Sequence, residues 1–249
     1  MSNIWAQNAG YIGIDADATG DPFWDACVLA LRCDGTNGST TFTDVSPAAR
    51  GNATVSGSTA VSTSQSKFYG SSLNVPTGSG NFLSYADSAD WNWDTDFIRD
   101  CWVYLNTTAG RQTLFSQYAD GNNYNLMTLE GSGSLAMYSA SGGVFQLQMQ
   151  TVNSLVTTAT WTHIRFSKIG GLYIIFVNGQ PVMSLTSTAS IADQAVVLRI
   201  GASDATGAGV NNGFLNDIRI YRGVGTASAF TPPSRPFMGR RLPSGIYTL

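Results

Sequence analysis

Apolar residues in this chain recur at every second position within short runs, and clusters of Gly, Ser, Asn and Asp separate the runs. In Tyr124-Asn-Leu126-Met127-Thr-Leu129 and in Val144-Phe145-Gln-Leu147-Gln-Met149 the alternation is that of a strand with one buried face. From Pro22 onward the pattern predicts strands over 26–33, 41–44, 53–56, 69–75, 81–86, 97–106, 112–117, 124–130, 134–139, 143–149, 161–169, 172–177, 181–186, 196–201 and 214–222. Turn residues stand where such strands must reverse. Asn178-Gly179 follows Leu172–Val177, Gly170-Gly171 precedes it, and Gly142-Gly143 precedes Val144. No helical period lasts beyond two turns. Many short strands without helices predict an all-β domain, an antiparallel two-sheet jelly-roll sandwich. Residues 1–21 show no sustained period and read as an extended N-terminal arm. Residues 22–237 carry the domain, and 238–249, basic and then apolar, read as a C-terminal arm.

Composition agrees with strands and narrows function. Charged residues are only 12%, Ser and Thr together are about a fifth, and Gly numbers 27, a mixture suited to tight turns and poor for exposed helices. A net charge of −3 with two lysines argues against a nucleic-acid surface. No apolar run approaches the ~18–20 residues that span a bilayer, and the N-terminus lacks a basic-then-apolar signal. A soluble protein made in the cytoplasm is therefore expected.

Among 16 acidic residues only Glu130 is a glutamate, and His163 is the single histidine. A glutamate-pair hydrolase, a His-centred triad and a His-rich zinc cage cannot be assembled, although Asp pairs remain in principle. No catalytic residue is predicted. Cys27 and Cys33 share one strand, which sets them roughly 20 Å apart, too far for a disulfide. Cys101 could meet either across a sheet, but buried reduced thiols are expected for all three.

Several segments, in order, resemble laminin-G-like, concanavalin A-like jelly rolls of phage virion proteins. They begin with Asp21-Pro-Phe-Trp24-Asp25, Val28-Leu-Ala-Leu31-Arg-Cys-Asp34-Gly35 and Thr41-Phe42-Thr-Asp44-Val-Ser46-Pro47. Ser66-Lys67-Phe68-Tyr-Gly70-Ser71-Ser72-Leu73 with Asn81-Phe82-Leu83 follows, then Phe97–Leu105 and Trp161 through Gly179. The series ends with Gly213-Phe-Leu215-Asn216-Asp217-Ile218-Arg219-Ile220, Arg222-Gly223-Val224 and Phe230-Thr-Pro232-Pro233. The resemblance implies the jelly roll and a place on a phage particle. It departs from the family at Pro76-Thr77-Gly78, where many relatives carry an Asp-Gly turn.

The resemblance also implies a structural calcium at Asp34 and Asp217, because calcium takes six to eight oxygens and two carboxylates with carbonyls and water could supply them. The alternative is that both carboxylates only order nearby turns. Trp102, Tyr104, Tyr118 and Tyr124, with Tyr138 and Phe145, fall on successive strands and are expected on one sheet face. There they either stack on sugar rings, with Gln117, Asn125 and Gln146 reading hydroxyls, or fill the core. His163 lies between large residues and reads as packed. The run 87–96 mixes four Asp with Trp91 and Trp93, either a second site or a capped turn closing the sandwich edge. The arms carry Trp5, Tyr11, Ile12, Ile246, Tyr247 and Leu249, apolar groups suited to docking on a partner.

Together these readings predict a non-enzymatic phage virion protein, a capsid decoration or small tail-associated component. Its partners would be other virion proteins and further copies of itself. A glycan-binding adhesion module on the virion is the second reading, and a glycan-cleaving enzyme, lacking a Glu pair, the third.

Overall fold

The two alternating runs, 124–129 and 144–149, both form strands. The structure is a computed structural model, and it describes residues 21–152, 154–206, 208–236, 240–241 and 247–248. The first strands are β1 (Cys27–Leu31), β2 (Thr54–Ser56), β3 (Ala60–Ser62), β4 (Ser72–Val75), β5 (Phe82–Tyr85) and β6 (Phe97–Leu105). Next come β7 (Gln112–Asp120), β8 (Asn123–Glu130), β9 (Ser134–Ser141), β10 (Val144–Gln150) and β11 (Thr162–Ile169). The last are β12 (Leu172–Val177), β13 (Gln180–Thr186), β14 (Leu198–Ile200), β15 (Gly213–Arg222), β16 (Arg240–Arg241) and β17 (Tyr247–Thr248).

They build two antiparallel sheets and one small hairpin. The eight-stranded sheet runs β13-β12-β11-β6-β15-β4-β3, with β1 also paired to β15. The seven-stranded sheet runs β10-β9-β8-β7-β14-β5-β2, and β16 pairs with β17. The inner faces close on Leu29, Leu73, Cys101, Val103, Met127, Met137, Phe166 and Ile175, all buried. This is the jelly-roll sandwich that the alternation predicts. Helical structure among the described residues is limited to three single turns, Trp24–Ala26, Ala89–Trp91 and Gly131–Gly133.

Turn chemistry explains the hairpins. Asn178 and Gly179 both have positive φ, 49° and 78°, as a two-residue turn matching strand twist requires. Gly179 is needed a second time, since a Cβ there would come within 1.8 Å of the Phe230 carbonyl oxygen. The run 87–96 closes one end of the sandwich. Trp91 and Trp93 are fully buried in the core, and the Ser88 hydroxyl accepts from the Asp90 amide at 3.3 Å.

β15 changes neighbours midway, and the signature Asn216-Asp217 sits at the change. Its first half pairs with β4 (Leu215 opposite Leu73) and its second half with β1 (Ile218 opposite Leu31). Asp217 adopts φ 51° at the bulge between, a conformation that Asp tolerates better than most residues. Asn216 fills the gap. Its Oδ1 accepts from the Phe68 amide at 2.8 Å, and its Nδ2 donates to the Arg32 and Ser71 carbonyls at 2.8 and 3.2 Å.

Some boundaries differ from the pattern. β3 lies in a Ser/Thr/Gly-rich stretch with little apolar contrast, and 41–44 forms only isolated bridges, Thr43 to Asn52 and Asp44 to Leu31. Asp21, assigned by pattern to the arm, is tied to the domain, since the Tyr221 hydroxyl donates to its Oδ2 at 2.5 Å. Trp5, Tyr11, Ile12, Ile246 and Leu249 lie outside the described residues, and of Tyr247 only its backbone, in β17, is described.

Candidate functional site

The aromatic set does not share one face. Trp102 and Tyr104 stand on β6 in the eight-stranded sheet, whereas Tyr118, Tyr124, Tyr138 and Phe145 stand on β7 to β10 in the other. The chain crosses between sheets after β6. Alternation reports whether a side chain points in or out, but not which sheet it belongs to.

The outer face of the eight-stranded sheet is covered. Trp102 is 7% exposed, with the Phe68 ring edge-on at 6.0 Å, His163 at 5.2 Å and Lys67 Nζ 3.8 Å from its ring centroid. No ring face is left for a sugar. Tyr104 packs against Trp161 at 5.6 Å and Phe214 at 6.0 Å. Phe230, from the segment after β15, lies on His163 and Phe176 and under the Arg165 guanidinium, 3.9 Å from its centroid.

Beneath this cover runs a buried ionic cluster. Arg165 Nη2 donates to Asp100 Oδ2 at 2.5 Å, Arg219 Nε stands 3.5 Å from Asp100 Oδ1, and Arg219 Nη1 reaches Asp21 Oδ2 at 3.5 Å. Burial alone would raise the Asp100 carboxyl, but Arg219 and Arg165 outweigh it and hold it below the usual range. His163 is fully buried, 3.7 Å from Asp100, and burial lowers its pKa to about 3. It is the packed, neutral histidine that its surroundings in the sequence suggest.

The outer face of the seven-stranded sheet is less covered among the described residues. Tyr118 and Tyr124 face each other across β7 and β8, and their half-buried rings stack at 5.9 Å with 12° between planes. Beside them Leu126, Ala136 and Tyr138 form a small apolar patch separate from the core. The Tyr138 hydroxyl donates to Gln150 Oε1 at 2.8 Å, and Phe145 lies 6.4 Å from the Tyr138 ring while 52% exposed. Arg111 Nε donates to Glu130 Oε1 at 2.8 Å, and Thr128 donates to the same oxygen at 2.7 Å. Ser203, Asp204, Ala208 and Gly209 stand along one side and close a cleft of about 350 Å³ whose other lining residues are Arg111, Tyr118, Leu126 and Glu130. The aromatic patch was legible in the sequence. The cleft was not, because its second wall comes from a segment nearly ninety residues later in the chain.

The hydroxyl readers expected beside these rings are elsewhere. Gln117 and Asn125, opposite one another on β7 and β8, are fully buried, and Asn125 Nδ2 donates inward to the Ala192 carbonyl at 3.2 Å. Gln146 Oε1 accepts from the Ala192 amide at 2.8 Å. The Asn125 and Gln146 amides anchor the segment around Ala192 to the sheet rather than read a ligand beside the tyrosines.

The calcium expectation finds a poor donor set. Asp34 is exposed, whereas Asp217 is buried with its Oδ2 3.3 Å from Arg219 Nη2. A guanidinium at that distance already supplies positive charge where the ion would sit. Among the described residues no group of three or more His, Cys, Asp or Glu gathers to hold a metal. Asp34 and Asp217 as placed do not fit a calcium site. Cys27, Cys33 and Cys101 are free and buried, and burial pushes each thiol up, away from the reactive thiolate.

With this geometry in place, comparison with known proteins is informative about the scaffold. A family model described as the concanavalin A-like lectin/glucanases superfamily, of the laminin-G type, matches residues 77–229. No curated protein matches the chain in sequence. Domain 4 of AbnA, an extracellular GH43 arabinanase from Geobacillus stearothermophilus solved in complex with arabinotriose, superposes with a TM-score of 0.60 at 18% identity, covering 80% of this chain and 94% of that one. The IT-sialidase CBM40 of Ruminococcus gnavus, solved bound to alpha2,3 sialyllactose, gives 0.52 at 12% identity over 61% of this chain and 91% of that one. The binding domain of Paraclostridial Mosquitocidal Protein 1 gives 0.63 at 15% identity over 82% of this chain and half, 50%, of that one. At such identities the likeness is one of fold.

Proposed function

Because the chain belongs to the concanavalin A-like lectin/glucanases superfamily, we propose that it is a non-catalytic glycan-binding module holding sugar on the outer face of its seven-stranded sheet. The observation that carries this reading is the Tyr118–Tyr124 stack, half-exposed at the edge of the 350 Å³ cleft. Aromatic rings held rigidly by their neighbours offer apolar faces to the C–H faces of a sugar at little entropic cost, and a cleft of a few hundred Å³ is the size of a small-ligand site. The neighbours in fold include domains solved with arabinotriose and with sialyllactose, which supports a carbohydrate ligand here.

The absence of catalysis is argued from the two groups best suited to it. Glu130 gives one carboxylate oxygen to both Arg111 and Thr128, so that oxygen is taken up by structural hydrogen bonds, and no second glutamate exists to act beside it. His163 is sealed under Phe230 on the opposite sheet. Printing the full chain on a glycan array, followed by overnight incubation with each bound oligosaccharide, tests both parts. Retention without released product is the expected result. Hydrolysis, or retention of none of the glycans, contradicts the reading.

A second reading places the module on a phage particle, fixed by segments 1–21 and 238–249. It is favoured by the motif series ending in Gly213–Ile220 and Phe230-Thr-Pro232-Pro233, which resembles phage virion jelly rolls. Mass spectrometry of purified particles tests it. Hundreds of copies would indicate capsid decoration and a handful a tail position, whereas absence from particles contradicts virion placement. The two readings are compatible, since a particle-mounted module can display a sugar face outward.

A further inference from the structure

The charges around the cleft state which sugars it admits. Glu130 and Asp204 line it together with Arg111, and each carboxylate has an arginine for company. Arg111 is committed to Glu130 at 2.8 Å, and its guanidinium lies 5.4 Å from the Tyr138 ring centroid. Arg199 feels the Asp204 carboxylate while donating to the Tyr118 carbonyl at 3.3 Å and lying over the Phe82 ring at 5.7 Å. Asp204 Oδ1 accepts from the Thr206 amide and hydroxyl and from the Ala208 amide at 2.8–3.1 Å, which fixes it at the cleft wall. A sugar carboxylate entering here would meet two carboxylates, Glu130 and Asp204, against one lining arginine, Arg111, whose charge Glu130 already offsets.

We infer that the cleft is a subsite for a neutral sugar residue and discriminates against glycans that present a carboxylate, such as uronates and sialylated ends. This rests on the glycan-binding reading above and adds its ligand class. A neutral ring can lie against Tyr118, while its hydroxyls donate to the charged oxygens of Glu130 and accept from Arg111 without breaking the pair. Hydroxyls engage a carboxylate well because one partner is charged. A second carboxylate at the same place is repelled through a partly dehydrated medium, where charges act more strongly than in water.

The test uses the full chain on an array carrying neutral and carboxylated oligosaccharides, including arabinotriose, galactobiose, galacturonobiose and 3′-sialyllactose. Calorimetry follows on the best binder and its carboxylated counterpart. The expected result is a neutral binder at least tenfold tighter than its counterpart, with Glu130→Gln narrowing that gap while the melting temperature stays within a few degrees. Equal or tighter binding of the carboxylated member overturns the inference and leaves the glycan-binding reading standing. A neutral preference untouched by Glu130→Gln also overturns it, since charge would not be the cause. Should no oligosaccharide of either kind bind, both this inference and the reading beneath it fall.

Discussion

The two outer faces of the sandwich carry comparable aromatic residues and differ in what lies over them. On the eight-stranded sheet the turn around Trp24, the loop at Lys67 and Phe68, and the segment carrying Phe230 fold back onto Tyr221, Trp102 and His163. The charges of Asp100, Arg165 and Arg219 are sealed beneath that cover. On the seven-stranded sheet the Tyr118–Tyr124 stack stays half-exposed among the described residues, with Ser203, Asp204, Ala208 and Gly209 standing beside it. Cover, rather than the presence of aromatic residues, separates a face that stabilises the fold from one that can meet a ligand. Charges under such a cover need opposite charges within the protein, and here Asp100, Arg165 and Arg219 supply them as an ion cluster.

Breaking that cluster should give the largest effect on stability. Asp100→Ala strands Arg165 and Arg219 without their shared carboxylate, and removing one partner of a buried pair costs about 3–5 kcal/mol. Urea denaturation should show this loss in full, and a cost within 1 kcal/mol would mean that water already reaches the cluster. Next in size is the cover itself. Phe230→Ala uncovers His163 and Phe176 and should cost about 2 kcal/mol, less than the ~3–5 typical of a fully buried Phe because the ring is only half-buried. Phe145→Ala on the open face, by contrast, should stay within about 0.5 kcal/mol. Equal costs for the two would erase the distinction between the faces.

A smaller effect follows from pH. Burial pushes the Asp217 carboxyl up to about 6, against Arg219, with Asp100 and Asp21 adding repulsion. The folded state therefore favours the protonated acid. Its contribution to stability is greatest below the ordinary carboxylate range, near pH 4, and is lost as pH rises through about 6. Asp217→Asn removes the penalty and tolerates the same left-handed backbone. It should gain on the order of 1–2 kcal/mol at pH 7.5 and close to nothing at pH 4. A gain that is the same at both pH values would show that Asp217 does not titrate in this window.

The strands and the identity of the fold were legible because alternation and turn chemistry are local. Tyr124 to Leu129 shows which side chains face in, and Asn178-Gly179 where the chain reverses. Assigning Trp102 and Tyr118 to different sheets was not legible, because strand order depends on pairings between distant segments, such as β6 with β15. For the same reason Gln117 and Asn125 looked like sugar readers. Both amides sit on tyrosine-bearing strands but are fully buried, and that of Asn125 meets Ala192. Asn216-Asp217 was visible as a signature, yet its use emerged only when β15 was seen to trade β4 for β1 across a bulge.

The central claim is that the open face, through Tyr118 and Tyr124, holds the glycan. Calorimetric titration of the double variant Tyr118→Ala/Tyr124→Ala with the oligosaccharide that wild type binds best tests it most directly, with Trp102→Phe as the control on the covered face. The account predicts at least a tenfold loss of affinity for the double variant, a melting temperature lowered by only a few degrees, and unchanged affinity for Trp102→Phe. Undiminished affinity in the double variant, or a comparable loss from Trp102→Phe without unfolding, would contradict it.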